Sequence, residues 1–459
     1  MSTPTRTVLL NDVIGNSKIS RFQGGVILLA LLISIVDGLD GQALGFAMPA
    51  ISADWGLPIP RFTMIITFGL IGMITGGVIG GAIGDRFGRR PMILGSITVF
   101  AVFTLLTPLV GSLTGLFIMR LIVCLGVGGL LPNLIALASE LAPSRHRIAV
   151  TTLVFSGQSV GGVIGGLIAS SILPVWGWHG IYVVAGSVGV IIGVVALVAL
   201  PESPQFSALR GDTARVARLL NRVVGRDGFS ADDHITAASS DATKASAVAL
   251  FTHRRALMTV LIWFIFGFNL LVVYFMLNFL PSLLAASGLT PAKAALVTTV
   301  YNVGGIIGIL VGVLADKTHR PVLVLACAYT LGSVFILLLA PAHHSLPLLM
   351  LVVCGVGICI LGAQSALSGL TTEVYPTEIR STAAGWAMGF GRLASILGPS
   401  LGGGLLAAGL AAVSVISLTA VPGAAAAILV TALGGVLGTK HRHGAAQESN
   451  AEHKESLAA

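Results

Sequence analysis

Residues 81–91 read Gly81-Ala82-Ile83-Gly84-Asp85-Arg86-Phe87-Gly88-Arg89-Arg90-Pro91. A reduced version returns at 312–321 as Gly312-Val313-Leu314-Ala315-Asp316-Lys317-Thr318-His319-Arg320-Pro321. Both follow an apolar stretch long enough to cross a bilayer, which takes about 20 residues. A second phrase is also doubled: Glu140-Leu141-Ala142-Pro143, closing on Arg147, and Glu373-Val374-Tyr375-Pro376, closing on Arg380. The offset is 231 positions from Asp85 to Asp316 and 233 from Glu140 to Glu373. Two different phrases repeating at nearly one spacing predict an internal duplication, each copy contributing its own set of spans.

Outward from these phrases, apolar stretches of spanning length fall at 24–48, 63–83, 92–110, 116–138, 150–173, 180–200, 257–283, 293–315, 321–340, 347–370, 382–408 and 412–437. They number twelve, six on either side of a polar stretch. The expected fold is an all-α membrane protein of twelve transmembrane helices in two pseudo-symmetric six-helix halves. The expected divisions are a tail at 1–23, halves at 24–200 and 257–437, a linker at 201–256 and a tail at 438–459. Composition excludes a water-soluble globule: 55% of the 459 residues are hydrophobic, 10% are charged and the mean hydropathy is +0.96. Soluble domains carry about 25% charged residues. Residues 1–23 hold Arg6, Lys18 and Arg21 without an apolar core, so no cleavable leader is expected. The four cysteines all lie in apolar stretches and read as packing residues, not as a disulfide framework or metal site.

The net charge of +8 raises the question of a nucleic-acid partner, and the location of the charges answers it. With the N-terminus inside, cytoplasmic segments hold 22 of the 26 Lys and Arg residues: three before the first span, three in 84–91, two in 139–149, eight in 201–256, two in 316–320, one in 373–381 and three after 437. Only Arg61 and Lys293 fall outside, and Arg120 and Arg392 lie within spans. Excess positive charge on cytoplasmic loops sets orientation. Both termini are therefore expected in the cytoplasm, and the basic balance is a topology signal. Arg215, Arg218 and Arg222 alternate with Leu219, Leu220 and Val223 in the linker, reading either as an amphipathic helix at the membrane surface or as a solvated segment.

Of the 18 acidic residues, only Asp37 and Asp40 lie well inside spans, with Arg120 and Arg392 as the matching bases. Each such charge costs about 2.5–3.5 kcal/mol to insert, which makes it a functional candidate. At 1.5 Å per residue, Asp37 and Arg120 come to similar depth, about 10 and 6 Å below the outer edge. Desolvation and a neighbouring Arg act oppositely on a carboxyl group, so Asp37, Asp40 and Arg120 are expected to couple protons. The alternative is a static pair packing span one on span four. Arg392 falls about 15 Å into span eleven, where its planar fork suits a carboxylate; the alternative is an Arg satisfied by backbone carbonyls. Asn133, Tyr274, Asn278, Tyr301, Asn302, Gln364 and Trp386 are polar or aromatic residues in spans that could line a cavity for an aromatic acid. Gly81, Asp85, Arg86, Gly88, Arg89 and Arg90, with Glu140, Arg147, Asp316, Arg320, Glu373 and Arg380, are expected to hold a gate at the cytoplasmic face.

The Gly81–Arg90 phrase resembles the signature loop of the major facilitator superfamily. Asp37-Gly38-Leu39-Asp40, Pro132-Asn133, Pro201-Glu202-Ser203-Pro204, Leu277-Asn278-Phe279-Leu280-Pro281 and Gly389-Phe390-Gly391-Arg392 resemble its aromatic acid:proton symporter family. That resemblance covers nearly the whole chain. It implies a multi-pass protein of the bacterial inner membrane, acting as a monomer. Such a protein imports a hydroxybenzoate, benzoate or phenylpropionate with protons by alternating access, with no cofactor and no nucleic-acid partner. The second loop lacks the Gly and one Arg of the full signature, so the first half is expected to carry the stronger gating contacts.

Other classes have weaker support. Exporters of the superfamily carry Gly-Pro-x-x-Gly-Gly in span five, where this chain has Gly161-Gly162-Val163-Ile164-Gly165-Gly166 without the Pro; the Pro form stands in span eleven at Gly398-Pro399. A sugar or non-aromatic acid symporter is compatible with Pro201–Pro204 alone. Gly157-Gln158-Ser159-Val160-Gly161 imitates a hydrolase elbow but sits inside span five. No phosphate-binding Gly-Lys-Ser/Thr loop is present. No catalytic residue or metal ligand is expected; His441 and His443 read as solvated tail residues, and no histidine falls in the twelve stretches.

Overall fold

The computed structural model describes residues 7–225, 228–230, 233–236, 247–252, 255–342 and 345–437. His441, His443 and the tail at 438–459 lie outside the described residues. The spanning helices are α1 (Arg21–Trp55), α2 (Thr63–Phe87), α3 (Arg89–Leu106), α4 (Leu113–Leu141), the continuous stretch Arg147–Ala199, α7 (Ala256–Ala286), α8 (Pro291–Thr318), α9 (Pro321–Ala342), α10 (Leu346–Val374), α11 (Thr377–Ala407) and α12 (Ala412–Leu437). Among the described residues, ten helical stretches are long and apolar enough to cross a membrane.

Two details relate these ten to the twelve expected spans. The Ser144–Ala199 stretch runs 56 residues, about 84 Å of helix against an apolar core about 30 Å thick. It is broken at Gly177, whose φ of 59° and ψ of −159° leave the helical region and which follows Pro174. The part before Gly177 is α5 and the part after it is α6. The loop expected at 174–179 is thus a single-residue hinge, and His179 lies on α6 with its ring stacked on Trp178 at 3.7 Å. The twelfth, α11, is 31 residues long but carries Glu378, Arg380 and Arg392, which lower its hydropathy.

The chain forms two compact units, Met1–Asp241 with Leu277–Asn302, and Ala242–Met276 with Val303–Ala459. In the first, α1 begins with a capping box: Ser20 Oγ accepts from Gln23 N at 3.3 Å while Gln23 Oε1 accepts from Ser20 N at 2.8 Å. Gln23 Nε2 also donates to the Leu141 carbonyl at 2.7 Å, tying the start of α1 to the end of α4. The first unit includes Leu277–Asn302 because α1 approaches that segment closely; a Cβ on Gly45 would stand 2.9 Å from the Leu277 carbonyl oxygen. Its core joins Ile33, Ile93, Leu134, Leu137 and Val154 to Val216, Leu220 and Val223 of the linker helix Thr213–Val224. The linker segment folds as an amphipathic helix whose apolar face packs into this core. Large apolar side chains stand exposed along the spans, with Val198 at 85% and Val78 at 73%, as helices facing hydrocarbon require.

Candidate functional site

Asp40 and Arg120 form the most deeply buried ion pair among the described residues, with both side chains 4% exposed. Arg120 Nη1 donates to Asp40 Oδ1 at 2.7 Å, and Nη2 donates to Oδ2 and to the Asp40 carbonyl, both at 3.2 Å. Thr104 of α3 donates its hydroxyl to Asp40 Oδ1 at 3.4 Å, and the guanidinium lies 6.0 Å from the Tyr182 ring of α6. Four helices thus converge on one pair. Removing one partner of such a pair typically costs about 3–5 kcal/mol, because the other charge is left buried and uncompensated.

Asp37 takes a different partner. Gln158 Nε2 of α5 donates to Asp37 Oδ2 at 2.6 Å. The approach of α1 to α5 depends on missing side chains: a Cβ on Gly38 would overlap the Gln158 carbonyl, and one on Gly161 would overlap the Ile35 carbonyl. The two acids, expected at the depth of Arg120, therefore take different partners. Asp40 binds the arginine, and Asp37, three residues away, faces a neutral amide. Sequence reading missed Gln158 because it sat in a glycine-rich stretch considered only as an elbow; a buried amide between close-packing glycines was the available signal.

Farther along α1, Gln42 and Asn302 of α8 pair reciprocally. Gln42 Nε2 donates to Asn302 Oδ1 at 3.1 Å and Asn302 Nδ2 donates to Gln42 Oε1 at 2.9 Å, both residues being buried. Gly162 lies beneath them, where a Cβ would strike both amides. Asn302, expected in a substrate cavity, spends both side-chain groups on this clamp. Asn133 is occupied on one side only: its Nδ2 donates to the carbonyls of Gly80 at 3.1 Å and Gly129 at 2.7 Å, binding α2 to α4, while its buried Oδ1 has no hydrogen-bond partner among the described residues.

The remaining substrate candidates differ in setting. Tyr301 is fully buried and its hydroxyl has no hydrogen-bond partner among the described residues, while Asn278 is 8% exposed. Tyr274 and Gln364 are half-buried. Trp386 is 50% exposed and stacks on Trp263 at 5.9 Å, and Phe390 stacks on the same indole at 5.6 Å. Arg392, two residues past Phe390, is half-buried and makes no ion pair among the described residues. Asn269 of α7, not singled out in the sequence, is 1% exposed, and neither amide atom has a hydrogen-bond partner among the described residues.

The first signature loop builds an interlocked charge cluster. Arg89 Nε donates to Glu140 Oε1 at 2.9 Å, and Ser203 Oγ donates to Glu140 Oε2. Glu202 Oε1 accepts from the backbone N–H groups of Arg89 at 2.9 Å, Arg90 at 3.1 Å and Ser203 at 2.8 Å. Gly88 holds the turn at φ 107°, where a Cβ would collide with the Glu202 carboxylate. Asp85 contributes little, since it meets Arg89 at 3.7 Å and is 75% exposed. Arg86 lies over the Phe87 ring, Arg147 Nε donates to the Ser139 carbonyl at 3.2 Å, and Gly81 borders open space. Glu202 and Ser203 belong to a phrase read only for its resemblance, so their part in this cluster was missed.

The second copy is built differently. Asp316, Arg320 and Glu373 are exposed, Arg380 is half-buried, and none of them forms an ion pair among the described residues. Tyr375 instead donates to Thr259 Oγ1 at 2.8 Å, which donates to the Leu250 carbonyl at 2.8 Å. Burial pushes the Tyr375 hydroxyl above its ordinary pKa, keeping it a donor.

The sequence matches the Major Facilitator Superfamily over residues 30–399 and again over 262–456. It is 32% identical to a gallate transporter of Pseudomonas putida, covering 93% of this chain and 95% of the relative. A 4-hydroxybenzoate transporter of the same species is 32% identical over the same shares. Among solved structures, a D-xylose–proton symporter superposes with a TM-score of 0.69 at 16% identity, over 88% of this chain and 96% of that one; this likeness concerns the fold alone. All these relatives are transporters, not enzymes, and the chain belongs to the Major Facilitator Superfamily, grouping within it with transporters of aromatic acids.

Proposed function

We propose that this protein imports an aromatic carboxylate of the hydroxybenzoate or phenylpropionate type together with protons. It acts as a monomer in the bacterial inner membrane with both termini cytoplasmic, its halves at 24–200 and 257–437 alternating access. The observation that carries the substrate class is the match along 93% of the chain to transporters named for gallate and 4-hydroxybenzoate, both carboxylates on a hydroxylated ring. Arg392 suits the carboxylate, since its fork has no ion-pair partner among the described residues. The indole of Trp386 nearby on α11 offers a flat apolar surface for the ring.

Asp37 is the proton carrier in this reading. Protonating Asp40 would strand Arg120 as a buried unpaired charge, whereas Asp37 faces a neutral amide that can hydrogen-bond either form of the carboxyl group. The Glu140–Arg89–Glu202 cluster serves as the cytoplasmic gate, and the Gln42–Asn302 clamp as its counterpart nearer the outer face. Counterflow in liposomes tests the substrate class. Vesicles preloaded with unlabelled 4-hydroxybenzoate are expected to accumulate labelled gallate and 4-hydroxybenzoate transiently, but not labelled xylose or succinate. Counterflow of the sugar or the dicarboxylate without the aromatic acids would overturn the assignment.

A further inference from the structure

The arginines of the linker helix surround a recess that the transport reading leaves unused. Arg215, Arg218 and Arg222 recur at spacings of three and four on Thr213–Val224, so they share one exposed face, opposite the buried Val216, Leu220 and Val223. With Arg90, Phe22, Leu219 and Glu202 they line a recess of about 250 Å³ at the end of α6, against Val198, Ala199 and Leu200. That is room for a phosphodiester, since one water occupies about 30 Å³. Four guanidinium groups and one carboxylate line it; Glu202 is already engaged by the N–H groups of Arg89 and Arg90, and Arg215 meets the neighbouring Asp212 at 3.7 Å in an exposed pair, which leaves an excess of positive charge. Arg90 Nε is buried without a hydrogen-bond partner among the described residues, although its Nη2 donates to the Leu197 carbonyl at 2.6 Å.

What enters this recess is indicated by its surroundings. Ile191, Val194, Val195 and Val198 are exposed at 63%, 60%, 47% and 85%. Their spacing puts them in one stripe along α6, and the stripe ends at Val198 in the wall of the recess. A ligand matching both features has an anionic head and apolar chains. We infer that the recess is a binding site for an anionic phospholipid, its phosphate held by Arg90, Arg215, Arg218 and Arg222 and its acyl chains lying along α6. A basic pocket beside spanning helices suits such headgroups, and a soluble anion would make no use of the apolar stripe. The assignment to the inner leaflet rests on the orientation proposed above; the binding chemistry does not.

The test uses the full-length protein in detergent micelles, with lipid retention read by native mass spectrometry. Phosphatidylglycerol is expected to be retained about tenfold over phosphatidylcholine. The triple variant Arg215→Gln/Arg218→Gln/Arg222→Gln is expected to bring the two lipids to parity while keeping the wild-type melting temperature. Inorganic phosphate and 4-hydroxybenzoate at millimolar concentration are expected not to displace the lipid. Equal retention of both lipids by wild type, undiminished preference in the triple variant, or displacement by either soluble anion would overturn the inference. No transport is measured, so this result is independent of which substrate the protein carries.

Discussion

Asp37 and Asp40 are three positions apart on α1 and take different partners, the Gln158 amide and the Arg120 guanidinium; the proposed proton role of Asp37 rests on that difference. Asp40 receives two guanidinium bonds to its carboxylate and one to its carbonyl, so the stability of α1 against α4 depends on both members of the pair. Asp40→Asn is expected to lower the melting temperature more than the neutral double variant Asp40→Asn/Arg120→Gln. The single change leaves a buried guanidinium uncompensated, at a cost of about 3–5 kcal/mol, and the double change removes that charge. Scanning fluorimetry on the purified variants checks it; equal destabilisation would mean that the pair is not stabilising in the way described. Both acids and the arginine were legible from sequence because charges in spans are rare. Which of the two acids the arginine takes was not, because depth along a helix says nothing of the direction a side chain faces. Nor does it reveal partners such as Gln158 and Thr104, which carry no charge to attract notice.

The helix pairs are set by small residues and by the connections between spans. α1 lies against α5 through Gly38 and Gly161, and this close contact brings Gln158 to Asp37. The turn between α2 and α3 is held from a distance in sequence, by Glu140 at the end of α4 and Glu202 beyond α6. This ranks the acids of the cluster. Glu140 is 7% exposed and meets Arg89 at 2.9 Å, whereas Asp85 is 75% exposed and meets it at 3.7 Å. Exposed pairs contribute about 0–1 kcal/mol. Glu140→Gln is therefore expected to reduce substrate exchange in vesicles severalfold, with Asp85→Asn close to wild type. The reverse ranking would show that the visible Asp of the signature, not the buried Glu, governs the gate. The repeated phrases were plain in the sequence, but the different construction of their copies was not. The Tyr375–Thr259 hydrogen bond replaces an ion pair, and a phenol in an apolar helix end reads as packing until its partner is known.

For the whole molecule, the span count came through the sequence almost intact because hydrophobic length is a local property. The one change is the hinge at Gly177, where a loop was expected. The proposed orientation rests on 22 of 26 basic residues falling in the segments it places inside. A periplasm-dependent reporter fused after Lys440 is expected to stay inactive, and one fused within 341–346 to be active; the opposite pattern would invert the topology. The central claim is proton-coupled import of an aromatic carboxylate through Asp37. Its most direct test is the initial rate of labelled 4-hydroxybenzoate uptake into proteoliposomes under an inward acid gradient, with protein-free vesicles measured in parallel to remove passive entry of the weak acid. Wild type is expected to show saturable uptake that collapses with the gradient. Asp37→Asn is expected to fall to the protein-free rate while still exchanging labelled for unlabelled substrate. Gradient-driven uptake by Asp37→Asn at the wild-type rate would contradict the account.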